Sequence, residues 1–263
     1  MARALMSTAP LAPAVPELRR IGVADLRDAL SRGLDDFLAA PTQLFFLGLL
    51  YPVIGFVAAR AAWGGPLLPL LYPLLAGLSL MGPVMAIGLY EISRRREQGH
   101  AVSWLDAFAV LRSPAILSIA ALGLMLLGIF LFWLVAAQVI YGSTVGAAPH
   151  ATLGALLHDV LDTPAGLRML LLGNAVGGAL AVLVLVLTVV SFPMILDRGV
   201  TPGLAIRTSI RAVALNPGAM ALWGMVVVAG LVVGTLPLFI GLAVVVPVLG
   251  HATWHLYRKV VVA

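Results

Sequence analysis

Along this chain, long uncharged runs alternate with short segments whose apolar residues recur at helical spacing. Leu67–Tyr90, Ala115–Tyr141 and about Met169–Leu196 carry no formal charge, and each exceeds the roughly 20 residues that a helix needs to cross a bilayer core. A fourth stretch, Gly218–Trp254, is too long for one crossing at about 1.5 Å per residue. It is predicted to be a hairpin turning at Gly234–Pro237, with spans of about Gly218–Gly234 and Pro237–Tyr257. With the shorter run Leu44–Ala59, the pattern predicts an all-α, polytopic bundle of six transmembrane helices.

Three amphipathic segments lie between these runs. In Val23–Leu38, the residues Val23, Leu26, Leu30, Leu34, Phe37 and Leu38 form one face and six charged residues fill the other, a pattern of helices that lie along a membrane surface. Trp104–Arg112 begins with a plausible capping box, Ser103 and Asp106, and Thr201–Pro202 opens a third helix bearing Ile206, Ile210 and Val213. Each segment precedes a proline (Pro41, Pro114, Pro217) and a span, and each returning span holds another (Pro83, Pro193, Pro247). The spacing therefore predicts three parallel internal repeats with three cytoplasmic surface helices. Residues 1–20, with three prolines, are expected to form a disordered cytoplasmic tail before one transmembrane domain, 21–263.

Composition agrees with a membrane setting. Apolar residues make up 62% of the chain, charged residues 10%, and the mean hydropathy is +1.08, against about a quarter charged in soluble domains. The net charge of +5 does not form a basic stripe interleaved with aromatics, which argues against nucleic acid. Instead, fourteen of the sixteen Lys and Arg residues fall on one side of the expected spans, and only Arg60 and Arg168 on the other. The excess of positive charge on cytoplasmic loops then places both termini in the cytoplasm. The absence of cysteine removes disulfides and thiolate chemistry.

Candidate chemistry is sparse. No Walker A, HExxH, GxSxG or dinucleotide fingerprint occurs, so neither catalytic residues nor a cofactor are assigned and the chain is read as not an enzyme. Arg94, Arg95 and Arg96, followed much later by Arg258 and Lys259, read as topology anchors that could also hold anionic lipid at the cytoplasmic face. Glu91, four residues before Arg95, suits a helical ion pair. Gly173 and Gly177, like Gly230 and Gly234, have the spacing of helix-packing faces. No metal site is assigned; the candidates for one are Glu91, Asp197, His251 and His255, which the expected repeat places at similar depth near the cytoplasmic ends of the returning spans.

The run Gly82-Pro83, Gly88-Leu89-Tyr90-Glu91, Ser93-Arg94-Arg95-Arg96-Glu97 and Gly99, followed by Ser103-Trp104 and Asp106-Ala107, resembles the signature of the DUF2189 family of predicted bacterial integral membrane proteins. The resemblance implies a multi-pass protein of the bacterial inner membrane and brings no established activity with it. The expected function is to organise or support membrane partners or lipid, with unknown protein partners; the alternative is a small transporter or channel for a solute, ion or lipid.

Overall fold

The structure is a computed structural model and describes residues 16–42, 53, 56, 68–146, 152–237 and 239–262. The expected span Leu44–Ala59 therefore lies outside the described residues apart from Val53 and Phe56, and so do residues 1–15 of the expected tail. Among the described residues the architecture is all helical. The one β pairing is an isolated antiparallel bridge, Leu18 to Val261.

Helix α1, Val23–Ala39, starts where Gly22 N donates to the Asp25 carboxylate at 2.9 Å. A first crossing unit follows as α2 (Leu71–Leu78), α3 (Gly82–Met85) and α4 (Ile87–Glu97), with a 3-10 turn at Ser79–Met81. Pro83 occupies the first turn of α3, where its missing N–H costs nothing. A 3-10 helix, Trp104–Arg112, leads into α5, Ile116–Thr144. Helices α6 (Leu153–Asp162) and α7 (Pro164–Thr188) meet at Thr163, whose hydroxyl caps α7 by accepting from Gly166 N at 3.0 Å. A Cβ at Gly166 would stand 2.2 Å from the Val160 carbonyl oxygen, so only glycine fits this corner. Then come α8 (Ser191–Arg198), α9 (Pro202–Leu215), α10 (Pro217–Thr235) and α11 (Leu242–Val260).

Four helical stretches among the described residues are long and apolar enough to cross a membrane: Tyr72–Glu97, Ile116–Thr144, Pro164–Arg198 and Pro217–Thr235. This corrects the expected six. The C-terminal helix is not one of the four because its second half carries His251, His255, Arg258 and Lys259, and that half packs against α1 and α4. Its charged residues face protein partners, as described below, and its apolar half, Leu242–Leu249, is too short to span alone.

The expected threefold repeat is corrected too, since no repeat is seen among the described residues. The three surface segments differ in kind: α1 has 17 residues, Trp104–Arg112 is wound as a 3-10 helix, and α9 has 14 residues. Their second prolines also sit in unlike places. Pro83 begins α3, Pro193 follows a break at Val189–Val190, and Pro247 lies inside the uninterrupted α11.

Helix α1 is rotated relative to the face expected for it. Its buried residues are Leu26, Ala29, Gly33, Asp36 and Phe37, whereas Val23, Leu34 and Leu38 are exposed. Close approach to α11 explains the choice. A Cβ on Gly33 would come within 2.6 Å of the Ala252 backbone nitrogen, so the contact runs along the small residues and not along the leucines. The chain ends meet on this face as well, where Arg19 N donates to the Val260 carbonyl at 2.8 Å and Val262 N to the Glu17 carbonyl at 3.0 Å. Asn216 joins in: its side-chain oxygen accepts from Ile21 N at 2.8 Å and its amide donates to the Arg19 carbonyl at 3.1 Å.

Candidate functional site: a buried polar clasp

The densest polar arrangement lies where α1, α4 and α11 meet. Asp36 is 3% exposed, and Ser93 and His251 are 0% exposed. An ionised carboxylate so enclosed survives only when donors surround it, and here three do. Ser93 Oγ donates to Asp36 Oδ2 at 2.5 Å, His255 Nε2 lies 2.7 Å from the same oxygen, and Arg96 Nη1 donates to Oδ1. Burial alone would raise the Asp36 carboxyl, but the hydrogen bonds from His255, Ser93 and Arg96 outweigh it and hold the group below the usual carboxylate range.

The proton positions follow from counting donors. Ser93 has one hydroxyl proton, and its hydrogen bond to the ionised carboxylate uses it. His251 Nδ1, 2.8 Å from Ser93 Oγ, must then donate, which leaves Nε2 as a bare acceptor. That nitrogen is buried without a hydrogen-bond partner among the described residues. Burial, the largest influence, pulls His251 down to about 4 against the opposing pull of Asp36, so the ring is neutral at physiological pH.

Serine, histidine and aspartate also make hydrolytic triads, but the order here is different. In a triad the serine gives its proton to histidine, which is held by the carboxylate. Here Ser93 stands between the other two, donates its hydroxyl hydrogen bond to Asp36 and keeps its proton, and is closed off from solvent. The arrangement clamps three helices and presents no nucleophile.

A second layer ties the ends of two crossing stretches to α11. Glu97 accepts from Trp254 Nε1 at 3.1 Å and from Arg258 Nε at 3.0 Å, while Asp197 accepts from the Tyr257 hydroxyl at 2.6 Å. Arg258 Nη1 stands 3.5 Å from Asp197, and Arg198 Nη2 donates to the Val262 carbonyl at 2.6 Å. Burial and the Asp197 carboxylate both push the Tyr257 hydroxyl up, keeping it a donor. On the outer turn of α1, Lys259 Nζ reaches Asp28 at 2.9 Å and Asp25 at 3.5 Å.

The sequence-derived candidates can now be placed. Glu91, 2% exposed, pairs with Arg94 and with Arg95, and Arg95 also reaches Asp106 at 2.9 Å. Together with Arg96 on Asp36, all three arginines of the triplet are engaged by carboxylates of this chain. Glu91, Asp197, His251 and His255 have separate partners: the arginines, Tyr257 with Arg258, Ser93, and Asp36. Among the described residues, no group of three or more His, Cys, Asp or Glu could hold a metal ion. The glycines divide, since a Cβ at Gly177 would lie 3.2 Å from Trp133, at Gly230 3.1 Å from Val245 and at Gly234 2.7 Å from Leu242, whereas Gly173 faces open space. Sequence reasoning missed Asp36 and Ser93 because both stand among charged neighbours and read as solvated. The available signal was the small-residue line Ala29, Gly33 and Asp36, which marks a close-packed face.

Residues 71–197 match the model of DUF2189, described as a predicted integral membrane protein. The match covers a little under half of the chain and supports classifying it with this family. No curated protein and no solved structure matches the chain.

Proposed function

We propose that this DUF2189 member is a non-enzymatic protein of the bacterial inner membrane, with both termini cytoplasmic, that organises or supports membrane partners or lipid. The observation carrying this reading is that the polar groups at the helix ends are used up in holding the helices to one another. Asp36, Glu91, Glu97 and Asp197 are each satisfied by partners within the chain, while the outward faces present Leu117, Leu124, Phe132, Leu171 and Val182. Such a molecule has an apolar exterior for lipid and a rigid polar face at one end.

A transporter remains the second reading because two crossing stretches are interrupted, at Ser79–Met81 and at Val189–Val190, and broken helices mark transport sites in some folds. The backbone groups around these breaks, however, find partners inside the protein. Ser209 Oγ donates to the Val186 carbonyl at 2.7 Å and accepts from Val190 N at 3.3 Å, and Ser79 Oγ donates to the Ala76 carbonyl at 2.5 Å. Groups satisfied in this way do not offer an ion or solute a path.

Purified protein in proteoliposomes, assayed with a panel of ions and small solutes, decides between the readings. We expect flux no greater than in empty liposomes, together with reproducible co-purification of membrane proteins or lipid. Saturable flux of any one solute would replace this reading with the transporter.

A further inference from the structure

The arginine triplet that the sequence marks for lipid headgroups is engaged internally, so the cations free to meet an anionic membrane must lie elsewhere. Helix α9 supplies them. Gly203, Arg207, Ile210, Arg211 and Ala214 occupy its exposed side, while Ala205, Thr208, Ser209 and Ala212 are buried. Arg207 and Arg211, one turn apart, share a face and have no ion-pair partner among the described residues, and α9 itself contains no carboxylate. Ile210 stands between them at 42% exposure, giving the mixture of cation and apolar side chain that suits the headgroup boundary.

Two further features point the same way. Arg211 lines a cleft of about 590 Å³ with Pro16, Glu17, Leu18, Ala214 and Leu215, and the segment forming its other wall brings Arg19 and Arg20, also without ion pairs among the described residues. This wall is fixed by Asn216 and by the pairing with Val260 and Val262. Helix α9 also connects two stretches able to cross the membrane, Pro164–Arg198 and Pro217–Thr235, which holds it at the bilayer surface. Glu17 is the carboxylate in the cleft and opposes anion binding, leaving the surroundings net positive.

We propose that this cleft seats the phosphate of an anionic membrane phospholipid against Arg211, with Arg207 supporting it from one turn away on the same exposed face and Ile210 in the upper acyl region. The site deepens the lipid-supporting reading above. It can fail by itself, because its test compares two headgroups and the loss at Arg207 and Arg211, whereas the reading as a whole is tested by flux and by co-purification of any membrane protein or lipid.

The full chain is purified in detergent and its bound lipid is titrated by native mass spectrometry. The probes are phosphatidylglycerol and phosphatidylcholine with identical acyl chains, and inorganic phosphate serves as competitor. Phosphatidylglycerol should be retained preferentially and resist inorganic phosphate. The Arg207→Gln/Arg211→Gln double variant should bind it about thirtyfold more weakly, at about 1 kcal/mol per basic residue. Arg112→Gln, another arginine without an ion pair among the described residues, should bind as the wild type does, and Glu17→Gln should bind more tightly. Equal retention of the two lipids, unchanged retention by the double variant, or displacement by inorganic phosphate alone would overturn the site. Circular dichroism showing wild-type helicity accompanies each variant, and the gain expected of Glu17→Gln cannot arise from misfolding.

Discussion

Asp36 and His251 are two buried ionisable residues whose charge states are set by the same packing in opposite ways. Asp36 stays ionised because donors converge on it, and His251 stays neutral because burial outweighs the nearby carboxylate. A histidine held below its ordinary value makes stability depend on pH, because below about 6.5 the unfolded chain takes up a proton that the folded chain refuses. Its contribution is therefore complete above pH 6.5 and is lost as the pH falls toward 4, a shift worth up to about 3 kcal/mol. Arg96 disfavours protonation of His251 alongside His255, while Asp36 favours it; Asp36 itself gives up its contribution only at lower pH. Thermal unfolding in nanodiscs should show the midpoint falling from pH 6.5 to pH 4.5, and His251→Asn, which can still donate to Ser93 but does not titrate, should flatten that slope. An unchanged slope in the variant would remove His251 as the cause.

At the scale of elements, the contact between α1 and α11 shows how far the sequence could be read. The helical periodicity of Val23–Leu38 was legible, and so was its amphipathic character. Which side would be buried was not, because leucine spacing marks an apolar stripe and says nothing about how near a neighbour can come. Gly33 against Ala252 decides that, and the aspartate one turn later is carried inward with it. The capping box at Ser103 and Asp106 was legible as well, and it forms, with Ser103 N donating to the Asp106 carboxylate at 2.7 Å. The segment it opens is a 3-10 helix, which short-range spacing does not separate from an α-helix. Gly33→Leu should force α1 from its groove at a cost of about 1–3 kcal/mol, so that trypsin cuts at Arg27 and Arg32 several times faster than in the wild type. Leu34→Ser, on the 45% exposed side of the same helix, should leave the cleavage rate nearly unchanged. Equal rates in both variants would mean that the glycine contact does not hold α1.

For the whole molecule, the run of charge at Glu91–Glu97 was the most informative stretch of sequence, and the structure makes it the edge at which α1, α4 and α11 are joined. The number of crossings was less legible. The uncharged run Gly218–Trp254 reads as two spans by length, yet the half of α11 beyond Gly250 carries His251, His255, Arg258 and Lys259, and its aromatics are buried by protein: Trp254 and Tyr257 are 1% and 0% exposed. Hydropathy does not distinguish a residue buried by lipid from one buried by its own chain. In the proposed topology the N-terminal segment, the end of α4 and the C-terminal segment form one closed polar face on a single side of the membrane, opposite the far end of α5. That helix has 29 residues, or about 43 Å at 1.5 Å per residue, enough to carry Ser143 to the other side. Because the chain contains no cysteine, single cysteines placed at Arg20, Gln98 and Ser143, all exposed, can be labelled with a membrane-impermeant maleimide in sealed vesicles of each orientation. Arg20→Cys and Gln98→Cys should both react in inverted vesicles and resist label in right-side-out ones, with Ser143→Cys showing the reverse; labelling of Arg20→Cys and Gln98→Cys from opposite sides would overturn this topology.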